Sequence, residues 1–231
     1  MKAIILMAGM GQRLGKSIPK CLLELPRGET ILGRQIRLLR PYCQEIIGVV
    51  GFQKELIMIT HPEIRYVVNP LFSQTNNAAS LRHAMEIVQK DDIIWINGDV
   101  VFTEKALRSL IDTSDNAVAV EFKKVYGEEM KFTIDEQGYI QSLSKTLPHA
   151  SGEAVGIYKI RKKDFESFKD ALRQCKATDY APQAIMLAIS KGLLFKAINV
   201  GIDQCIDVDF AFDLDQAWKM LEENEETPQK K

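Results

Sequence analysis

The apolar run Ala3 to Leu6 opens directly into Met7, Ala8, Gly9, Met10, Gly11, Gln12, Arg13 and Leu14. Two glycines at such a place let backbone N–H groups come close to phosphate oxygens, and an arginine adds a charge-assisted fork. Lys20, just behind Pro19, is near enough in sequence to reach the same phosphates. The chemistry that this suits is the holding of an oligophosphate. A dinucleotide loop would want a third glycine where Leu14 stands, and the Gly-x-x-x-x-Gly-Lys-Ser/Thr loop is absent, so neither a Rossmann dehydrogenase nor a P-loop NTPase fits.

Further along, Asp99 closes Asn97, Gly98, Asp99, and Asp207 and Asp209 alternate ahead of the last helical stretch. Magnesium prefers oxygen ligands, and one or two carboxylates plus substrate phosphates suffice to hold it. On the residues alone Asp99 is equally a turn residue, because Asn-Gly-Asp is good turn chemistry. Asp209 is equally a helix cap or, with Asp207, an Asp-x-Asp element. His61, His83 and His149 have no obvious carboxylate partner, and no serine or cysteine nucleophile triad is legible.

Apolar runs of four to six residues alternate with stretches of helical period, which is the pattern of βαβ crossovers. The fold class expected is α/β, a mostly parallel twisted sheet flanked by helices. Ala3 to Leu6 reads as a strand buried on both faces. Glu45 to Val50, Ile64 to Val68, Ile93 to Ile96 and Ala117 to Phe122 are further strands, with a loop at Asn97 to Phe102. Thr30 can cap a helix carrying Ile31, Ile36, Leu38 and Leu39, which Pro41 ends. Leu81, Met85 and Val88 mark a helix by their i, i+4, i+7 spacing, and Glu104 to Leu110 is another. Lys131 to Tyr158 holds two or three short strands around Asp135 to Gly138, read as a small β insertion across the mouth of the sheet. Helices over 164–172 and 181–191, strands at 194–200 and near Ile206, and a closing helix to Glu222 complete the pattern. The expectation is one continuous domain over residues 1–223 and a polar tail over 224–231.

The 30 Lys plus Arg balance 31 Asp plus Glu, so the chain lacks the positive footprint of a nucleic-acid binder. No run approaches the roughly 18 apolar residues of a spanning helix, and the first run is too short for a signal peptide. The four cysteines, Cys21, Cys43, Cys175 and Cys205, are scattered without zinc spacing. Reduced thiols in a cytoplasmic protein are expected, with no nucleic-acid or membrane partner; the oligomeric state is left open.

The spacing of Leu6, Ala8, Gly9, Gly11, Arg13, Pro19 and Lys20 resembles the signature of the sugar-phosphate nucleotidyltransferase superfamily, Leu-x-Ala-Gly-x-Gly-x-Arg with a downstream Pro-Lys. Met7 and Gln12 depart from the commoner residues, and Gln12 keeps a hydrogen-bonding group. Asn76, Asn77, Ser80 and Leu81 are similar to an element of the phosphocholine cytidylyltransferase-like branch. Asn97, Gly98, Asp99 resemble its strand-end Gly-Asp; Glu129, Met130, Lys131, then Lys145, Glu153 before Gly156, and Asp207 to Asp209 follow its pattern too. The resemblance runs from Met1 to about Leu221 and is unspecific for the acceptor.

What the resemblance implies is a single Rossmann-like nucleotidyltransferase domain. An acceptor phosphate attacks the α-phosphorus of a nucleoside triphosphate and expels pyrophosphate, so positioning and charge neutralisation are the catalysis. Arg13, Lys20 and Asp99 are the expected catalytic residues. Leu6, Ala8, Gly9, Gly11, Gln12, Arg13, Lys20, Asn76, Asn77 and Gly98 are expected on the nucleotide, where an Asn amide can read a base edge or cap the helix that starts there. Asp99 and Asp209 are expected to hold Mg2+. Lys145, Lys131 and Glu153 are expected at the acceptor, Glu153 suiting a cationic head group. The reading is thus CTP plus a small phosphorylated head group (phosphocholine-like, phosphoethanolamine, aminophosphonate or similar), giving a CDP-activated product for cell-surface polymer decoration. Its alternatives are a sugar-1-phosphate nucleotidyltransferase using UTP or dTTP, and a non-catalytic nucleotide-binding module.

Overall fold

The computed structural model describes residues 1–11, 18–127 and 129–225. Strand β1 (Lys2–Met7) is buried along its whole length. Ile4 and Leu6 pack into one core and Ala3, Ile5 and Met7 into another, so the period of two fills both faces. Helix α1 (Ile31–Leu39) starts at Thr30, whose hydroxyl accepts from the Gly33 amide as expected. Strand β2 (Glu45–Val50), helix α2 (Lys54–Thr60), strand β3 (Arg65–Val68), helix α3 (Asn77–Ile87) and strand β4 (Ile93–Asn97) follow. Helix α2 is not foreseen by the periodicity: Ile57 alone is buried, while Leu56, Met58 and Ile59 are exposed, so there is no apolar stripe to detect.

The segment expected to be a loop after β4 contains strand β5 (Val100–Phe102). Helix α4 (Glu104–Ile111) and strand β6 (Asn116–Glu121) come next, then β7 (Lys131–Ile134), β8 (Ile140–Ser144) and β9 (Gly152–Ile160). Helices α5 (Phe165–Arg173) and α6 (Pro182–Ser190), strands β10 (Phe195–Asn199) and β11 (Cys205–Asp207), and helix α7 (Ala211–Glu225) end the described chain. Helix α7 runs past Glu222, where the sequence reading stopped it.

The main sheet has the order β10-β6-β9-β4-β1-β2-β3, parallel except that β9 lies antiparallel between β4 and β6. This corrects the insertion reading in part. The β7–β8 hairpin does stand off the main path, but β9 is a nine-residue interior strand. Its Tyr158 stacks on Trp95 of β4 with ring centroids 4.5 Å apart, and Phe168 of α5 covers the same indole at 5.2 Å. Each such fully buried side chain contributes roughly 1.5–3 kcal/mol, which fixes the central strands firmly.

Because β2 lies on one side of β1 and β4 on the other, the loops leaving β1 and β4 diverge and open a crevice at the strands' carboxyl ends. Strands β5 and β11 form a separate two-stranded antiparallel ribbon beside that crevice, pairing Asp207 with Val100. Helix α7 is held on the ribbon by Val101, Ile206, Val208, Ala217, Met220 and Leu221, which share a third core with Leu23 and Leu25. Among the described residues no helix is long and apolar enough to cross a membrane.

Candidate active site

The crevice between β1 and β4 is a pocket of about 230 Å³. Leu6, Ala8, Gly9, Gly11, Lys20, Asn76, Asn77, Gly98 and Asp99 are among the residues that line it. Gly98 has to be glycine: its amide donates to Leu6 O at 2.8 Å, and a Cβ there would sit 2.7 Å from Met7 Cβ. Gly11 has φ +58, and a Cβ on it would meet the Lys20 stem at 2.9 Å. Gln12 and Arg13, both expected on the nucleotide, lie outside the described residues.

Asn76 and Asn77 stand at the start of α3. Asn76 Oδ1 accepts from the Asn77 amide at 2.8 Å, and Asn77 Oδ1 accepts from the Ala181 amide at 2.6 Å. Both amide oxygens thus accept from backbone N–H groups, which orients the side chains, while both residues remain on the pocket wall. The loop before them is tied down by Asn69, whose amide donates to Thr75 Oγ1 and Ser80 Oγ at 3.0 Å each.

Asp99 leaves β4, Asp207 ends β11 and Asp209 follows it, and one carboxylate oxygen from each can be chosen so that all three lie within 4.8 Å of one another. The ribbon sets this distance, with Val208 N donating to Asp99 O at 3.0 Å. Asp213, in the first turn of α7, reaches back to accept from the amides of Asp209 and Phe210 at 2.9 and 2.6 Å, which fixes the chain that carries Asp209. Lys20, in a single 3-10 turn after the glycine loop, reaches across with Nζ 2.6 Å from Asp209 Oδ1 and 3.1 Å from Asp99 Oδ2.

Burial alone would push the Lys20 ammonium down, but the two carboxylates outweigh it and hold its pKa above the ordinary value. Asp207 stands beside them on the cleft wall, and burial, followed by the charges of Asp99 and Asp209, raises its carboxyl well above the usual range. Its Oδ1 is shut off from solvent without a hydrogen-bond partner among the described residues. Oxygen-only ligands on three converging carboxylates, one of them with an orphaned buried oxygen, fit a divalent cation of the magnesium type. Sequence reasoning named Asp99 and Asp209 but left Asp207 out of the ligand set. The signal was present in the spacing, since residues i and i+2 of an extended segment face the same way. Cys21, next to Lys20, is buried with its thiol pushed up to about 12 by burial and by Asp99, which leaves it unreactive.

The pocket continues into a wider cleft of about 980 Å³ that shares Gly11, Lys20, Asn76 and Asn77 and takes in Asp207 and Asp209. Its far wall is acidic. Glu121 of β6 and Glu153 of β9 are cross-strand partners, a repulsive arrangement that Lys123 bridges at 2.9 and 2.7 Å. Glu129 stands 4.0 Å from the same ammonium. Glu153 has its pKa raised, first by burial and then, against the pull of Lys123, by Glu129 and Glu121. Lys145 is on this wall with Nζ 3.1 Å from Tyr180 Oη and 4.2 Å from that ring's centroid. Lys131 is not on the wall: its ammonium donates to the carbonyls of Gly127 and Lys145 at 3.0 and 3.1 Å, tying together the segments that carry Tyr126 and Lys145. The sequence reading did not single out Glu121 and Lys123, whose meeting with Glu153 depends on β9 entering the main sheet.

Residues 3–163 match the model of the MobA-like NTP transferase domain, which takes in the glycine loop, Lys20 and Asp99. The chain belongs to the MobA-like NTP transferase family. It is 30% identical over 207 residues to the bifunctional protein GlmU of Methanococcus maripaludis, a match covering 84% of this chain and 48% of that protein. It is 36% identical over 119 residues to the CMP-5'-(3-aminopropyl)phosphonate synthase of Streptomyces rubellomurinus, covering 47% of this chain and 19% of the other. The chain spans about half the length, or less, of the curated relatives that it matches. Among solved structures, the CTP:phosphocholine cytidylyltransferase LicC of Streptococcus pneumoniae superposes with a TM-score of 0.79 at 19% identity, over 95% of this chain and 98% of LicC. The fold of this MobA-like chain is thus the fold of LicC.

Proposed function

We propose that the protein is a magnesium-dependent cytidylyltransferase that joins CTP to a small phosphorylated acceptor bearing a cationic head, giving a CDP-activated product and pyrophosphate. The observation that carries this reading is the meeting, across two joined clefts, of a glycine loop and three clustered carboxylates with the Glu121, Glu129 and Glu153 wall. Phosphocholine, phosphoethanolamine and aminophosphonates are acceptors of that kind. The relatives whose names mention phosphocholine and aminopropylphosphonate support the same class. The protein is read as cytoplasmic and its product as an activated group for a cell-surface polymer.

In this reading the backbone at Gly9 and Gly11, with Arg13 and Lys20, holds the triphosphate. An oxygen of the acceptor phosphate attacks the α-phosphorus, the bond from that phosphorus to the bridging β-oxygen breaks, and pyrophosphate leaves with the electron pair. Two polyanions must approach each other, so the cations Lys20, Arg13 and Lys145 govern the rate through charge stabilisation. Asp99, Asp207 and Asp209 would hold Mg2+, which supplies neutralisation of the phosphate oxygens.

Preference for cytosine rests on Asn76 and Asn77. With their oxygens engaged on backbone amides, they have N–H donors to offer. Cytosine presents acceptors at N3 and O2, whereas uracil and thymine present a donor at N3. On the acceptor side Lys145 takes the phosphate, and the Glu153 wall takes the head group, with Lys131 holding the loop behind Lys145.

The test is pyrophosphate release with Mg2+, crossing CTP, UTP, dTTP, ATP and GTP against phosphorylated amines, neutral phosphoalcohols and sugar 1-phosphates. Release confined to CTP with a phosphorylated amine supports the proposal. Release with UTP or dTTP and a sugar 1-phosphate would move the protein to that alternative, and nucleotide binding without any release would make it a binding module.

A further inference from the structure

The structure assigns a positioning role to Gln35, a buried residue of α1 that touches neither cleft. We infer that its side-chain amide fixes the turn carrying Asp99, and through it the spacing of the carboxylate cluster; the inference rests on the metal-dependent reading above. Gln35 is only 1% exposed, in the middle of an apolar helix face. Its Nε2 donates to Asn97 O at 3.0 Å and to Val100 O at 2.7 Å. Those two carbonyls bracket Gly98 and Asp99, so one NH₂ group closes both ends of the turn. The two acceptors also decide the amide's orientation, because an oxygen in that place would face both carbonyls.

Val100 is the residue of β5 that lies opposite Asp207 of β11, and Asp99 O receives the Val208 amide at 3.0 Å. A shift of the turn would therefore move Asp99 directly and Asp207 through the ribbon. The neighbouring Arg34 secures the far end of β5, donating from Nε to Phe102 O at 3.2 Å. Gln35 Oε1 is itself buried without a hydrogen-bond partner among the described residues, so half of the amide is left unsatisfied where an apolar side chain would pack without that cost. A residue kept for packing alone would not be a glutamine. The two carbonyls that it joins, on either side of a metal-type carboxylate, give it a reason.

The experiment is Mn2+ binding in the presence of CTP, followed by electron paramagnetic resonance, on the wild type, Gln35→Met and Leu39→Ala. Leu39 is a fully buried apolar residue of the same helix with no polar group to offer the turn's carbonyls, so its variant reports loss of packing without loss of the amide. Gln35→Met is expected to weaken Mn2+ binding by about 10- to 100-fold, the usual effect of removing a group that orients a ligand. The Mg2+ concentration for half-maximal turnover should rise by a similar factor, with most of the turnover recovered at saturating Mg2+. Leu39→Ala should lower the melting temperature and leave both metal midpoints in place. Where Gln35→Met does not fold, Gln35→Asn, which keeps the amide but withdraws it by one methylene, is measured for the same shift. Wild-type metal midpoints in a folded Gln35 variant overturn the inference. A wild type that binds no Mn2+ brings down the metal reading and the role of Gln35 with it, an outcome visible before any variant is made.

Discussion

Lys20 Nζ lies 2.6 Å from Asp209 Oδ1, so the cation expected on the triphosphate is paired with a carboxylate expected to take the metal. The same ammonium reaches Asp99, and Gly11 gives its stem room to pass. One positive charge thus stands where another would bind. Replacing Lys20 by Met should reduce turnover by about 10²- to 10³-fold, the usual cost of losing one preorganised charge donor. It should also tighten Mn2+ binding in the absence of nucleotide, because the competing ammonium is gone. Titration of Mn2+ against both proteins checks this; weaker binding by Lys20→Met would contradict it.

Asp99→Asn and Asp209→Asn should each abolish Mg2+-dependent pyrophosphate release while circular dichroism stays native. Asp207→Asn separates the cluster's cost from its use. Removing one of three converging carboxyls relieves the repulsion that keeps Asp207 from ionising, so the protein without metal should gain about 1 kcal/mol, or roughly 2–4 °C in melting temperature for a chain of this size. Its metal affinity should fall in the same variant. A less stable Asp207→Asn protein would mean that the carboxylate serves the fold instead.

The acidic wall gives a pH dependence with a definite sign. Burial, reinforced by Glu129 and Glu121, raises Glu153 above the ordinary glutamate range. Such a group favours the folded state when protonated: the stability that it contributes is fully present below the unfolded pKa and lost as pH rises through the folded one. Its attraction for a cationic acceptor runs the other way and is lost on acidification, starting at a higher pH than for an ordinary glutamate. The KM for a phosphorylated amine should therefore rise as pH falls, relative to a neutral phosphoalcohol that carries the same titrating phosphate. Glu153→Gln should raise that KM about tenfold at neutral pH and flatten the difference between the two acceptors.

The parts of this molecule that were legible in the sequence are those built from contiguous residues. Ala3 to Leu6 can only be a doubly buried strand, and Thr30 was readable as a cap because its helix follows at once. The glycine loop, Lys20 and Asp99 lie within short motifs, so their residue types and spacing survive without coordinates. What stayed hidden depends on pairing. Strand β9 joins the main sheet far from its neighbours in sequence, and only that placement sets Glu153 opposite Glu121 and brings Lys123 between them. Strand β5 is three residues long and pairs with β11, and only that pairing sets Asp207 beside Asp99, although its spacing to Asp209 is legible in the sequence. Gln35 was unreadable for a plainer reason. A polar residue in an amphipathic helix is by default solvated, and only the carbonyls at Asn97 and Val100 make it otherwise.

Gly98 offers the sharpest check on the crevice itself. A methyl group there would sit 2.7 Å from Met7 Cβ and 3.0 Å from Leu6 O, contacts that no flexible side-chain end can relieve. Either β1 and β4 separate at their carboxyl ends or the Asp99 turn lifts away from β1, breaking the hydrogen bond from the Gly98 amide to Leu6 O. Both routes cost overpacking strain of about 1–3 kcal/mol, seen as roughly 2–4 °C of melting temperature per kcal/mol. Both also displace Asp99 from Asp207 and Asp209, so Gly98→Ala should lose metal-dependent turnover well beyond what the stability loss explains. Thermal unfolding and Mg2+ titration of the same preparation distinguish the two effects. A Gly98→Ala protein with native melting temperature and native Mg2+ midpoint would show that the turn is not wedged against β1 as described.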